Sequence, residues 1–301
     1  MGRKESFINI IYVLVYISLG YFTTDIYLPS LPNITAYFST SITLVQLTLF
    51  SYLLSFSLTP LIAGPLSDHY GRKKVILFGI IIVTIASIGC IFSFSIYQLI
   101  FFRFIQGFGT GSIVISARCI LTDSFQGKKL AAKASIITLG ILIVLAIAPV
   151  IGGHLQELFG WQSVFIFLIA YFFIVLCFTY LFKETLQKPS EDTTIEIIAP
   201  YRSFLKKPAF ILLALSFAVP NMGWFAYYAA SPYLFQDLLN LSPVQYGNLA
   251  FYVSGIIILF SLLNIQLVKK IKLTRLIAVG NLMILLSAFL LFVFTLQGNT
   301  S

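Results

Sequence analysis

Runs of about 20 apolar residues follow one another along the whole chain, separated by short polar breaks. That is the length a helix needs to cross the hydrocarbon core of a bilayer. Nine spans are predicted, at about 7–30, 42–64, 75–95, 98–121, 133–153, 161–182, 209–235, 246–268 and 274–296. The first run lacks a small-residue cleavage site and more runs follow it, so it reads as a span and not as a removable signal. The expected fold class is an all-α integral membrane protein, a helical bundle lodged in the lipid bilayer.

Composition agrees with that pattern. Of the 301 residues, 59% are hydrophobic and 10% charged, and the mean hydropathy is +0.97. No water-soluble core needs so much apolar surface. A net charge of +9 would suit nucleic acid or a membrane surface, but its distribution points to topology. Arg3 and Lys4 precede span 1. Arg72, Lys73 and Lys74 separate spans 2 and 3, and Lys128, Lys129 and Lys133 separate spans 4 and 5. Lys183, Lys188, Arg202, Lys206 and Lys207 follow span 6, and Lys269, Lys270, Lys272 and Arg275 follow span 8. Seventeen of the 19 basic residues thus occupy alternate loops, and the intervening loops hold none. The positive-inside rule places the N-terminus and those loops in the cytoplasm, and a nine-span chain would end outside. No nucleic-acid partner is expected. Arg103 and Arg118 are the two left over, and both fall within span 4.

Other chemistry has little to rest on. Cys90, Cys119 and Cys177 lie inside spans, far apart, and read as small packing residues. His69 and His154 have no ligand partner nearby in sequence, so neither a metal nor a cofactor is expected. Nucleophile elbows and phosphate-cradling loops are absent from the sequence, and no enzyme activity is expected.

One loop is long. Residues 183–208, KETLQKPSEDTTIEIIAPYRSFLKKP, form a polar, charged linker. It divides a six-span block at 1–182 from a partial, three-span block at 209–301. The blocks echo each other: LFSYLLSF (49–56) matches LAFYVSGI (249–256), and KKVILFG (73–79) matches TRLIAVG (274–280), both at an offset of about 200. Some transporters are built from two such parallel halves. Three more spans would complete the second one, so the chain reads either as a natural nine-span protein or as a shortened product.

The stretch GPLSDHYGRKK (64–74) joins spans 2 and 3. Gly64 and Gly71 permit tight turns, and Pro65 can begin one. Asp68 can cap a helix or pair with Arg72. Basic residues alone would make a generic positive-inside loop, but the full G-x-L-x-D-x-x-G-R-K pattern does not fit that reading. It resembles the signature loop of the major facilitator superfamily. RFIQGFGTGS (103–112), with Arg103 and Gln106, resembles the family's span-4 motif. APVIGG (148–153), with Ala148, Pro149, Gly152 and Gly153, resembles the span-5 motif of its proton-driven exporters, although Ala148 replaces a glycine there. TDIYLPSLP (24–32), ARCILTDSF (117–125) and YYAASPYLFQ (227–236) resemble the bicyclomycin and chloramphenicol/florfenicol resistance branch, Bcr/CflA. The likeness runs from about Ser6 to Gly280.

Asp25 is the most expensive residue in this pattern, because a charge at the bilayer centre costs about 3 kcal/mol on insertion scales. Such groups usually face a watery cavity and carry ions or protons. Alternatively, Asp25 caps the outer end of span 1 within reach of solvent. Counting 1.5 Å per residue, Asp25 and Arg103 both lie roughly 10 Å inside the outer boundary and could share a cavity. The resemblance implies that Asp25 carries the coupling proton and that Arg103, with Gln106 and Tyr27, lies along the transport path. The competing reading of Arg103 is a cation that only packs helices.

Nearer the cytoplasm, Arg118, Asp123, Asp68 and Arg72 are expected to form a charge cluster, unless Arg118 snorkels to the interface. By resemblance, the loop with Gly64 and Gly71 latches the two halves together. Pro149, Gly152 and Gly153 read as a hinge and close-packing site in span 5, or as the plain end of that helix. In span 7, NMGWFAYYAASPYLF (221–235) supplies Asn221, Trp224 and Tyr228 as candidate cavity residues for a lipophilic ligand.

The expected function is drug:proton antiport in a bacterial inner membrane, with small amphipathic drugs exported by a monomer through alternating access. The alternatives are a non-transporting remnant of such a protein and a carrier for a small metabolite.

Overall fold

The computed structural model describes residues 3–186, 206–268, 271 and 273–298. Most of the 183–208 linker, with Lys188 and Arg202, therefore lies outside the described residues, as do Lys269, Lys270 and Lys272. Every regular element among the described residues is helical. They are α1 (Arg3–Asp25), α2 (Leu31–Tyr37), α3 (Ile42–Leu58), α4 (Pro60–Tyr70), α5 (Arg72–Ile91) and α6 (Ile96–Ser124). Then come α7 (Gly127–Phe159), α8 (Gln162–Leu181), α9 (Pro208–Tyr233), α10 (Pro243–Val268) and α11 (Leu273–Gly298). Among the described residues, seven helical stretches are long and apolar enough to cross a membrane, or eight if α3 and α4, bent by 44°, make one span. The described apolar part of α11, Arg275–Leu290, is shorter than the others.

Local chemistry explains several boundaries. Ser41 and Ser95 accept hydrogen bonds from the Leu44 and Gln98 N–H groups and so cap α3 and α6. Gly160 ends α7 at φ +81°. Two boundaries differ from the sequence reading. The 64–74 stretch is not an open turn, because α4 starts at Pro60 and carries Gly64 and Pro65 within it. A proline is well placed at a helix start, so Pro60 moves the helix boundary ahead of the motif. The plain helix end expected near Pro149 is likewise absent, since α7 continues to Phe159.

The first span is discontinuous. α1 stops at Asp25, residues 26 and 27 turn, Leu28–Ser30 form a 3₁₀ turn, and α2 resumes at Leu31. The apolar stretch as a whole runs from Ile8 to Tyr37. Asp25 thus stands at the break, 12 residues before the end of that stretch.

Polarity is arranged inside out. α5 turns Phe78, Ile81 and Ile85 outward, as suits lipid contact. Polar side chains gather inside, on α1 (Thr23, Thr24, Asp25), α3 (Thr48, Ser55) and α6 (Arg103, Gln106, Thr110, Ser112, Ser116). Many hydroxyls, such as those of Thr23 and Thr110, satisfy themselves on the carbonyl four residues earlier. α6 is the hub, packing against α1, α3, α4 and α5, while α10 packs against α7.

Candidate functional site

The break in α1 sets up the site. A helix interruption frees backbone groups that lipid cannot satisfy, so neighbouring protein must cover them. Here the Gln236 side chain donates to the Pro29 carbonyl at 3.1 Å. The Tyr233 hydroxyl lies 3.0 Å from the Thr35 hydroxyl and 3.4 Å from the Leu31 carbonyl. From α7, Gly152 closes on the Ile26 carbonyl so tightly that any β-carbon at 152 would collide with it. Gly153 makes the same kind of approach to the Pro243 carbonyl at the start of α10. The APVIGG stretch therefore lets α7 press on the residue after Asp25 with one glycine and on α10 with the next, with Ala148 and Pro149 buried beside them.

Asp25 is 2% exposed. Its Oδ2 has no hydrogen-bond partner within the protein. Tyr228 from α9 and Tyr246 from α10 are electrostatic neighbours of the carboxyl. No ion pair joins Asp25 to a basic residue among the described residues.

Arg103 is fully buried. Its guanidinium carbon sits 4.5 Å from the centre of the Tyr27 ring and 4.4 Å from that of Tyr52, a cation gripped between two aromatic faces. Nη1 donates to Gln106 Oε1 at 2.5 Å, and Gln106 Nε2 donates to Ser87 Oγ at 2.7 Å. Nε and Nη2 have no partner. The Tyr27 and Tyr52 hydroxyls are held by Thr48 (2.8 Å) and the Gly20 carbonyl (3.2 Å). Asp25 and Arg103 are not joined by a salt bridge; the arginine stacks on Tyr27, two residues along the chain from the acid. Tyr52 and Thr48 carry no charge and sit in an ordinary apolar run, so only the fold brings them to notice.

A cavity opens between the broken first span and α7, α9 and α10, with about 590 Å³ of empty space counting the part open to solvent. Leu28, Pro149, Trp224, Tyr227, Tyr228 and Tyr246 are among its walls. Trp224 packs its ring 5.5 Å from that of Tyr228. Its apolar, aromatic lining is of the kind that lipophilic ligands contact. Asn221 does not line it.

A second charged cluster stands at the other end of the bundle. Arg72, 4% exposed, places Nε 2.9 Å from Asp123 Oδ2 and Nη2 3.4 Å from Asp123 Oδ1. Its Nη1 binds Asp68 and Ser67. Gly71 adopts φ +101°, and a β-carbon there would also strike Glu184. The Glu184 carboxylate receives the N–H groups of Arg72 (3.1 Å) and Lys73 (3.0 Å), which neutralises the positive end of α5. In return, Lys73 Nζ donates to the Tyr180 and Phe182 carbonyls at the end of α8. Arg118 is exposed and stands apart from this group, and a β-carbon at Gly64 would meet Ile115 only at ordinary van der Waals distance. Glu184 is not among the sequence candidates. Its signal is an acid placed right at the end of span 6, beside Lys183.

These features define a multi-pass membrane protein. A family description of the Major Facilitator Superfamily matches residues 13–301, and the chain belongs to that family. It is 32% identical over 246 residues to the uncharacterized MFS-type transporter YdgK of Bacillus subtilis, covering 80% of this chain and 61% of the relative. It is 30% identical over 279 residues to the bicyclomycin resistance protein homolog of Haemophilus influenzae, covering 89% and 68% respectively. That relative is consistent with the Bcr/CflA branch. A bacterial homolog of the human lysosomal transporter Spinster, solved in an inward-facing conformation, shares the fold at 20% identity with a TM-score of 0.68, over 83% of this chain and 60% of that one. The chain spans about three-fifths of the length of several curated relatives that it matches.

Proposed function

We propose that this chain serves proton-coupled export of small lipophilic or amphipathic drugs across a bacterial inner membrane, working as a monomer by rocking of two helical bundles. In this reading residues 1–182 form one bundle, 183–208 a cytoplasmic linker and 209–301 part of the second bundle. The N-terminus and the Arg72 cluster face the cytoplasm. The observation that carries the proposal is Asp25: a buried carboxyl at a helix break, without a cation, next to an aromatic cavity. Packing alone does not call for it, whereas a proton site does. The contacts of α9 with Pro29, Leu31 and Thr35 then lie on the outer side, which corresponds to a form closed outward.

Asp25 loads a proton when the cavity is hydrated from outside and releases it inward, where a drug takes its place in the cavity. Arg103, fixed on Tyr27, places a positive charge near the path that pairs with no acid among the described residues. The test is proton release from inverted vesicles containing this chain, on addition of a fluorescent lipophilic drug. D25N is expected to abolish drug-driven release. Release that persists in D25N would remove Asp25 from the coupling role. Cells making the chain should also accumulate less drug than empty-vector controls, and equal accumulation would favour a membrane protein that does not transport.

A further inference from the structure

Two segments of this chain share a pattern that only the fold brings to notice. Residues 149–153 in α7 read PVIGG, and residues 243–247 at the start of α10 read PVQYG, so both follow P-V-x-x-G. Each glycine faces the other segment's proline. A β-carbon at Gly153 would collide with the Pro243 carbonyl, and one at Gly247 with the Pro149 carbonyl. The pairing of 149 with 247 and of 153 with 243 makes the crossing antiparallel, with backbone against backbone at two levels. One turn further along α7, the exposed Glu157 accepts the Val244 N–H on Oε2 at 3.2 Å. That bond completes the cap of α10. Pro243 has no N–H to satisfy, the Gln245 N–H donates to the Ser242 hydroxyl at 3.3 Å, and the Tyr246 N–H donates to the Ser242 carbonyl at 2.9 Å. Of these first-turn groups, the Val244 N–H is the one served from another helix. The breaks at this end of the bundle, 38–41, 92–95, 160–161 and 239–242, hold no Lys or Arg. A fastener here has no cation to use, so a carboxylate on the positive end of a helix takes the place of an ion pair.

We propose that Glu157 is the latch of the outer closure. By capping α10 from α7 it holds the glycine crossing shut, and the closed crossing keeps α9 over the break in the first span. The path of that hold is continuous. The Tyr246 and Ser231 hydroxyls meet at 2.9 Å, which ties α10 to α9. The Leu241 N–H donates to the Phe235 carbonyl at 3.0 Å across the turn between them. α9 then reaches the break through Gln236 and Tyr233. The glycines give close approach but little hold, because their attraction is dispersion and weak Cα–H···O contact. A hydrogen bond to a carboxylate is stronger. It also stands at the exposed rim, so when the helices part both Glu157 and the Val244 N–H pass to water and neither is left buried without a partner. The proposal rests on the reading of two bundles that rock, and it adds the contact that sets the balance between the closed and open forms.

Hydrogen–deuterium exchange of the full chain in lipid nanodiscs tests this without requiring transport. Wild type, E157Q, E157A and L158A are compared, the last altering an exposed neighbour that takes no part in the latch. E157A is expected to speed amide exchange about fivefold in two places, at residues 242–250 and at the break, residues 26–37. E157Q keeps an acceptor without the charge and should lie between E157A and wild type. L158A should match wild type. A simple helix cap would loosen only the start of α10, so exchange at 26–37 is the readout that separates a latch from a cap. The proposal is overturned if E157A leaves 26–37 at the wild-type rate, or if L158A speeds it equally. Faster exchange at 26–37 in E157A, in a protein whose wild type shows no drug-driven proton release, would uphold the latch and reject the antiport reading.

Discussion

Two buried arginines divide this molecule. Arg72 and Arg103 are almost equally hidden, but they are used in opposite ways. All three guanidinium nitrogens of Arg72 have protein acceptors, supplied by Asp68, Ser67 and Asp123. Arg103 has one acceptor, Gln106, two aromatic faces and two nitrogens left open, and the buried acid Asp25 also has an open oxygen. A buried charge with all its hydrogen bonds met holds a structure in one arrangement. One with bonds unmet is a liability in a packed interior, retained where something else, such as water, a proton or a ligand, completes it for part of a cycle. The first region is built as a fastener and the second as a place of exchange.

Three substitutions test that contrast. The largest effect is expected for R72M, which leaves Asp68 and Asp123 without their cation. A loss of about 2–3 kcal/mol is expected, at the low side for a buried pair because both acids are partly solvated. Thermal unfolding in detergent would measure it, and an unchanged melting temperature would break the distinction. G152V comes next, since a branched side chain must enter the space of the Ile26 carbonyl. Overpacking of this kind costs about 1–3 kcal/mol, and limited proteolysis near residue 26 should report the loosened break as well as the lower melting point. The smallest change is expected for R103M. A partly satisfied buried ion exchanged for an apolar side chain is often neutral, so stability should move by less than about 1 kcal/mol while drug-driven proton release falls at least tenfold. A stability loss as large as that of R72M would make Arg103 another fastener.

The cytoplasmic cluster is the more legible of the two in the sequence. Asp68 and Arg72 are four residues apart in a recognisable motif, and Asp123 lies at the matching end of span 4. Glu184 escapes a sequence reading because its link to Arg72 and Lys73 spans more than 100 residues and runs through backbone N–H groups, which leave no mark in a side-chain pattern. Arg118 joins the expected cluster on depth alone. Depth along a helix fixes the level of a residue but not the face it occupies, and the structure puts that side chain outside. At the membrane site the costly residues Asp25 and Arg103 are visible from their charge. Tyr27 enters through the motif around Asp25. Tyr52 and Thr48 are ordinary members of an apolar span, and nothing in the sequence singles them out.

The sequence by itself determined whatever depends only on cost and length. Apolar runs long enough to cross a bilayer must form helices, basic residues must sit on one side, and a carboxyl or guanidinium among them must have a use. Those are properties of each segment against lipid, with no partner needed. Which groups meet was decided by the tertiary structure alone. The break at residues 26–27 survives because Gly152, Gln236 and Tyr233 cover it, each brought from a distant segment. Asp25 is not paired with Arg103, whose guanidinium is gripped by Tyr27 and Tyr52. Contacts of that kind depend on the angle at which one helix crosses another, and no spacing along a single helix encodes that angle.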